Sequence, residues 1–473
     1  MGEKTCKVFT PSEIVKYILD KIGYVEHLYG KRILENSCGT GQFLCEIVKR
    51  YIIDGRNSEM SDEDIKKGLE RDVKGIEKDE TIYKQCIENL NKIALEFGIT
   101  EVCWNIEIGD ALKRECIPEY QFVVGNPPYI TYYNLLSEDR ELIRNKYTVC
   151  KKGKADYYYA FTEAAIRSLD EDGIMGYLIP NNFMKNRYSD AMRKYILPYL
   201  IELEDFKFKK LFENRLTSSA IIVCAKNADS KSFLYSDYEA EKKKKIDKNT
   251  LHGKWTLNLC YDDSEEYIRF KDYFQVSAPV ATLLNEAFVI KDFREYDEYI
   301  EKDGYKLERK GLRKAVSPKS LQYAEKNYII FPYYYKDGKC CRYTEEEFKS
   351  QFPQIAAYLK RFQQNLSKRR VDKKSKWFEY GRSQALEHIN QRKLMLSTLI
   401  TGEVKVYSLD VETVPYSGMY IVPKENGTIE QAEMILRSEE FYNYIREIGI
   451  HANGKTYRIS PHDVGDYILK RKW

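Results

Sequence analysis

Residues 121–133 read QFVVGNPPYITYY, and they restrict the fold more than any other stretch of the chain. Phe122, Val123 and Val124 have the unbroken apolar character of a buried strand, and Gly125 opens a turn behind them. Pro127 and Pro128 have no backbone N–H, so neither a helix interior nor a central strand can continue through them. The strand must therefore stop at Asn126-Pro127-Pro128-Tyr129. It leaves an amide, two rigid carbonyls and an aromatic ring at its C-terminal end.

The same punctuation recurs on both sides of that stretch. Thr10 is a good N-cap, Pro11 fits the first helical position, and Ile14, Val15, Ile18, Leu19 and Ile22 form one apolar face. Arg32 to Glu35 predict a strand, the Cys38-Gly39-Thr40-Gly41 turn breaks it, and helical spacing resumes from Phe43. The polar run DGRNSEMSDEDIKKG reads as a surface loop or a short exposed helix. VKGIEKDE then predicts a second strand ending on Glu77, and NIEIGDAL a third ending near Asp110, with the helix TIYKQCIENLNKIALEF between them. After the proline motif, KADYYYAFTEAAIRSLDEDG predicts a helix, IMGYLIP a strand and SDAMRKYILPYLI a helix. LEDFKFKKLF and SSAIIVCAK follow as a terminal pair of strands. Alternating strands and helices of this kind predict an α/β, doubly wound parallel sheet with ligand sites at the strand C-termini.

At 473 residues the chain exceeds one ordinary core, and two domains are expected, over 1–240 and 250–473, with EAEKKKKIDKN (239–249) as the linker. Residues 1–240 hold 35 Lys+Arg against 39 Asp+Glu, and the remainder 42 against 34. That imbalance is compatible with chance, or with a second half that meets a polyanion. The 40 tyrosines suit contact with nucleic acid but follow equally from a biased coding composition. No run approaches the roughly 18 apolar residues of a membrane span. The first fifteen residues hold no apolar stretch of signal-peptide type, so a cytoplasmic location is expected. Eleven scattered cysteines without a Cys-x-x-Cys pair point to reduced thiols and to no metal.

A glycine turn between strand and helix lets a ligand approach the backbone and the free N–H groups of the helix start. ENSCGTG lacks the full dinucleotide spacing, and alone it reads equally well as a tight structural turn. Glu77 and Asp110 add to it, since an acid at the second strand end accepts ribose hydroxyls and one at the third can accept from an adenine amino group. Together they predict a nucleoside-type cofactor. Asn126 and the Pro127 carbonyl can then hold both hydrogens of an amine conjugated to an aromatic ring, drawing its nitrogen toward tetrahedral geometry as it attacks. Tyr129 can stack on a base that has left its helix.

The whole arrangement resembles the N6-adenine DNA methyltransferases of the gamma order, the TaqI type. VFTPSEIV is similar to their opening cofactor motif, ILENSCGTGQFL to the glycine motif and GNPPY to the catalytic motif. KADYYYAFTEAA, GIMGYLIPNNF and LFENRLTSSAIIV resemble the later motifs in family order, over residues 7 to about 226. The resemblance implies a Rossmann-like methyltransferase sheet and S-adenosylmethionine as cofactor. Thr10, Glu35 and Gly39 would line its amino-acid end, Glu77 its ribose and Asp110 its adenine. Asn126, Pro127 and Tyr129 would hold the flipped base, with Phe212 as second stacking partner. Lys78 departs from the pattern, which often has an apolar residue after the ribose acid, although its methylene stem could still cover the ring.

The second half more loosely resembles the target-recognition domains of these enzymes, a mixed α+β DNA-recognition domain. KRRVDKKSK (368–376) precedes Trp377, Phe378, Tyr380 and Arg382. Lys374 and Lys376 are the candidate phosphate contacts, Trp377 an adjoining aromatic, and Arg382 the candidate base reader; a solvated basic loop is the alternative. Asn-Pro-Pro-Tyr also serves RNA adenine and protein glutamine methyltransferases, but a basic region of some 230 residues favours a long duplex-DNA site. Cytosine-ring methylation is disfavoured because no Pro-Cys dipeptide exists to supply the nucleophile. The expectation is a monomeric, sequence-specific adenine methyltransferase. It would serve a restriction–modification pair with a separately encoded endonuclease, or write a solitary epigenetic mark.

Overall fold

The computed structural model describes residues 10–207, 218–238, 241–257, 268–452 and 455–469. The chain divides into two compact units, Met1–Tyr261 and Asp262–Trp473.

The first unit is α/β, as expected. Its elements in chain order are α1 (Ser12–Lys21), β1 (Ile33–Glu35), α2 (Gln42–Asn57), α3 (Asp62–Asp72), β2 (Val73–Glu77), α4 (Glu80–Glu96), β3 (Asn105–Ile108), β4 (Tyr120–Gly125), α5 (Ser137–Lys146), α6 (Tyr157–Ser168), β5 (Leu169–Pro180), α7 (Asp190–Ile196), β6 (Leu200–Asp205), β7 (Ser219–Ala225), β8 (Ser232–Asp237) and β9 (Lys242–Asp247). The strands form one sheet in the order β3-β2-β1-β4-β5-β7-β6-β8-β9. β1 to β5 run parallel, and β7 is antiparallel to both its neighbours.

Successive strand residues face opposite sides, and both sides are covered. Leu34, Val123, Met175 and Tyr177 join a core with α5, α6 and α7, while Ile33, Val73, Val124 and Leu178 join one with α1 to α4. Gly75 is required by this packing, because a Cβ there would lie 2.8 Å from Ile106 and 2.9 Å from Leu44. The helices start where the sequence supplies caps: Ser61 Oγ accepts from the Asp64 amide before α3, and Asp79 Oδ1 accepts from Thr81 and Ile82 before α4.

Three sequence expectations change. Thr10 is not the cap of α1; Pro11 holds that position without a side-chain bond. The helix expected over 154–173 ends at Ser168, where β5 begins. The segment expected as a linker contains β9, paired antiparallel with β8 from Ser232↔Asp247 to Asp237↔Lys242. Ile246 packs on the core, and the chain beyond it returns Trp255 beside Phe183 and Phe233, with ring centroids at 5.7 and 6.2 Å. Division at 261 also erases most of the charge asymmetry. Residues 1–261 carry 41 Lys+Arg and 41 Asp+Glu, against 36 and 32 in residues 262–473.

The second unit is mixed α+β. It holds a four-stranded antiparallel sheet of Phe274–Ser277, Met419–Pro423, Lys393–Leu396 and Tyr407–Leu409. A second four-stranded sheet combines Val289–Ile290, Asn327–Ile330, Leu312–Val316 and Val414–Pro415, and smaller ribbons and short helices complete the unit. Its interior is aromatic: Phe348 and Phe378 stack at 4.1 Å, and Phe331, Tyr333 and Tyr380 meet edge to face.

Because Trp255 fills the β8 end of the core, Trp255→Ala should cost about 3–5 kcal/mol in denaturant unfolding of the full chain. A fragment ending at 240 should unfold at lower temperature than one ending at 261, since it lacks both β9 and that ring.

Candidate functional site

β1 is flanked by β2 on one side and β4 on the other, so consecutive crossovers leave in opposite directions and open a crevice at the strand C-termini. Glu35 ends β1, Glu77 ends β2, Asp110 follows β3, and Gly125-Asn126 ends β4. The sequence-predicted cofactor and catalytic residues within the described segments therefore converge on one end of one sheet. Phe212 lies outside the described residues.

The glycine turn is tied to β2 by a hydrogen bond. Gly39 adopts φ 54° and donates its N–H to Glu77 Oε2 at 2.9 Å, while Glu77 Oε1 accepts from the Asp79 amide at 2.9 Å. Both carboxylate oxygens are thus oriented by backbone donors, with lone pairs left over for a ligand. Gly41 caps α2 at φ 85°, where a Cβ would press to 2.8 Å from Cys86 Sγ.

Glu35 is 3% exposed, and its Oε2 is buried without a hydrogen-bond partner among the described residues. Ser37 Oγ beyond it is in the same condition. Burial pushes the Glu35 carboxyl well above the usual carboxylate range, and the nearby Cys86 and Glu77 add to the rise against the Leu44 amide. Asp110 Oδ1 accepts from the Leu112 amide at 3.0 Å, and its Oδ2 faces the Lys78 ammonium at 3.3 Å. Acceptors with unused capacity at three strand ends, two of them buried, fit a ligand that brings donors and a positive charge, as a nucleoside bearing an amino-acid chain does.

The tetrapeptide after β4 is fastened at both ends. Asn126 Nδ2 donates to the buried Thr10 Oγ1 at 3.1 Å, which turns the amide oxygen the other way. The hydroxyl of Tyr129 donates to the Leu178 carbonyl of β5 at 3.0 Å, and its ring meets Tyr158 edge-on at 6.2 Å. Pro127 between them is buried. Thr10 therefore orients the Asn126 amide, a contact its capping signature conceals.

The sequence reading named none of the residues that brace this arrangement. Tyr177 donates its hydroxyl to Asn36 Oδ1 between β5 and the β1 end, Tyr158 to Asn182 Oδ1 at 3.0 Å, and Asn181 Nδ2 to Asp205 Oδ1 at 2.8 Å. Asp156 Oδ1 accepts from the Tyr132 amide at 3.0 Å, and burial raises its carboxyl. Asp156 and Tyr158 lie within KADYYY and Tyr177, Asn181 and Asn182 within YLIPNNF, so those motifs were visible as segments without single roles.

In the second unit the four candidate DNA-contacting residues fall within residues 374–382. Lys374 is exposed, and its carbonyl accepts from Arg342 at 3.2 Å. Lys376 Nζ donates to the Tyr343 carbonyl, and Trp377 Nε1 to Glu345 at 3.1 Å. Arg382 pairs with Asp372 at 3.0 Å and stays 42% exposed, whereas Phe378 and Tyr380 belong to the core. Among the described residues no His/Cys/Asp/Glu group could hold a metal ion, and no helix is long and apolar enough to cross a membrane.

Residues 31–212 match the Eco57I restriction-modification methylase family. The chain is 26% identical to the type II restriction enzyme and methyltransferase RM.Eco57I of Escherichia coli, over 85% of this chain and 50% of that protein. It is 23% identical to the type II methyltransferase M.BstVI of Geobacillus stearothermophilus, over 95% and 87%. The chain thus spans about half the length of the first relative and most of the second. The fold is similar to that of the type IIL restriction-modification enzyme MmeI in complex with DNA, with TM-score 0.58 and 13% identity over 95% of this chain and 64% of that one. The DrdV–DNA complex gives 0.54 and 14% over 93% and 53%.

The Glu35 carboxyl gives a directional test. A raised native pKa means stability that is full below the ordinary carboxylate value and is lost as pH rises through the native one. Glu35→Gln should match wild type in acid and exceed it in unfolding free energy near neutral pH, while losing ligand affinity. Parallel pH profiles for the two proteins would count against a protonated buried Glu35.

Proposed function

We propose that this protein transfers a methyl group from S-adenosylmethionine to the N6 amine of an adenine turned out of duplex DNA, as the modification enzyme of a restriction–modification system. The observation that carries the reading is the anchored tetrapeptide: an amide held by Thr10 and a tyrosine held by Leu178, beside acids at three strand ends. The restriction–modification methylase match supports it, as do relatives named as type II methyltransferases and fold neighbours captured with DNA.

When bound, S-adenosylmethionine supplies an electrophilic methyl group. Asn126 Oδ1 and the Pro127 carbonyl accept the two N6 hydrogens, which localises the nitrogen lone pair and stabilises the positive charge that develops as the new C–N bond replaces the C–S bond. One N6 proton then leaves to solvent. The Tyr129 ring stacks on the extruded base. Because Asn126 is pre-oriented by Thr10, the acceptor needs no reorganisation at the moment of reaction. In residues 262–473, Lys374 offers a phosphate contact, and Arg382, steered by Asp372 while still exposed, is suited to a base edge; Lys376 and Trp377 set the turn that presents them. The working partner is double-stranded DNA and the working form a cytoplasmic monomer, with an endonuclease encoded separately.

Nucleosides from duplex DNA, transfer RNA, ribosomal RNA and a release factor, each incubated with protein and cofactor, would be analysed by mass spectrometry alongside the protein digest. N6-methyladenine in the duplex alone is expected; methyl transfer to RNA or glutamine instead would overturn the substrate. Asn126→Ala should cost on the order of 3 kcal/mol or more in transition-state stabilisation with cofactor affinity little changed. Thr10→Val should lower kcat more than it raises KM. Tyr129→Phe, losing one hydrogen bond, should cost about 1 kcal/mol, and Tyr129→Ala far more. On a randomised duplex library, Arg382→Ala should relax discrimination at one position and cost about 1–3 kcal/mol on the preferred site, whereas Lys374→Ala should weaken binding to all duplexes alike.

A further inference from the structure

Lys78 follows the β2 acid directly, at the place where an apolar residue would have covered a base. Its ammonium faces Asp110 Oδ2 at 3.3 Å and Asp139 Oδ1 on α5 at 4.0 Å. The side chains of the two acids are 6% and 14% exposed, that of Lys78 58%. α5 is the first α-helix after the catalytic tetrapeptide, and it is bonded back to the chain it follows. Arg140 Nε donates to the Tyr132 carbonyl and its Nη2 to the Tyr133 carbonyl, both at 2.9 Å. Beyond the helix, the Tyr147 hydroxyl donates to the Leu112 carbonyl at 2.9 Å, just past Asp110. The segment 130–147 is thus a strap that leaves the target-base motif and returns to the β3 end. Without a cation between them, Asp110 and Asp139 would face each other as like charges in a poorly solvated place, and burial already lifts the Asp139 carboxyl.

We propose that Lys78 is a positioning residue: it clamps α5 to Asp110 and so holds the strap that closes the nucleoside half of the cofactor site. This rests on the cofactor reading given above. The clamp holds Asp110 in place as an acceptor for an exocyclic amine, and it keeps the two acids from pushing the strap away from the β3 end. A lysine suits both jobs, since its stem runs along the site while its head reaches two carboxylates at once.

The test uses the full chain and S-adenosylhomocysteine, titrated calorimetrically so that no turnover is needed, with amide hydrogen exchange of residues 137–146 as a second readout. Lys78→Met should weaken binding roughly fivefold, the size expected of a half-exposed pair, and speed exchange in α5. Lys78→Arg should keep both near wild type. Asp139→Asn alone should change binding by less than about twofold, and Lys78→Met combined with Asp139→Asn should recover most of the loss, because the repulsion has gone. A Lys78→Met protein that binds like wild type overturns the clamp, as does a double variant whose loss is the sum of the single ones. Failure of the wild type itself to bind S-adenosylhomocysteine would instead overturn the cofactor reading, and the clamp with it.

Discussion

Everything at the site depends on the parallel pairing of a three-residue strand. β1 contributes only Ile33, Leu34 and Glu35, yet it pairs with β2 and β4 at once, with Glu35 opposite Gly75 on one side and Val124 on the other. Ile33 and Leu34 are buried on opposite, helix-covered faces, so a shift of one residue would send each into the core packed for the other. That register fixes the height at which the strands end, and therefore the height at which the acids and the Asn126 amide emerge. Two side chains then lock the ends together: Glu77 receives the Gly39 amide, and Asn36 receives the Tyr177 hydroxyl. The crevice follows from strand order, and its chemistry from which residues stand at or just past each strand end.

Those ends were legible because the apolar runs Ile33-Leu34 and Phe122-Val123-Val124 stop abruptly and Glu77 closes a strand-like segment. Glu35, Glu77 and Gly125 end their strands where the sequence changes character, and Asp110 stands two residues past Ile108. Other features needed long-range information. Thr10 carries a capping signature, and only the return of β4 to its side shows that its hydroxyl serves Asn126. β9 offers four lysines and a single isoleucine as its strand pattern, which reads as solvated chain until β8 supplies a partner. In residues 262–473 most strands have two to five residues, too few for periodicity to separate them from turns.

Tyrosine was ambiguous for a different reason. Its ring and hydroxyl can face a nucleic acid, but here many of the rings fill cores and satisfy the hydroxyl on the main chain. Tyr380 donates to the Ile330 carbonyl at 2.8 Å, Tyr420 to Ala385 at 3.0 Å and Tyr147 to Leu112 at 2.9 Å. Each such bond lets a large, amphipathic side chain replace a purely apolar one without leaving a buried hydroxyl unpaired. Composition alone cannot tell these from exposed rings such as Tyr133, at 68%.

The electrostatics of the crevice run against stability. Glu35, Glu77, Asp110 and Asp139 gather near strand ends that helix N-termini and one lysine only partly offset. Burial raises the Glu35 carboxyl, and Asp110 and Asp139 share Lys78. A fold selected for stability alone would replace such acids with amides or apolar groups, since a buried carboxyl without a full set of partners lowers the stability of the native state. Their presence is what a site needs if its ligand carries an ammonium, a diol and an exocyclic amine at fixed separations. The ligand then completes the acceptors that the chain leaves open, and binding free energy becomes folding free energy for the same residues. Strand ends near the crevice should for this reason be the part of the sheet most stabilised by the cofactor, while β6 to β9 gain least.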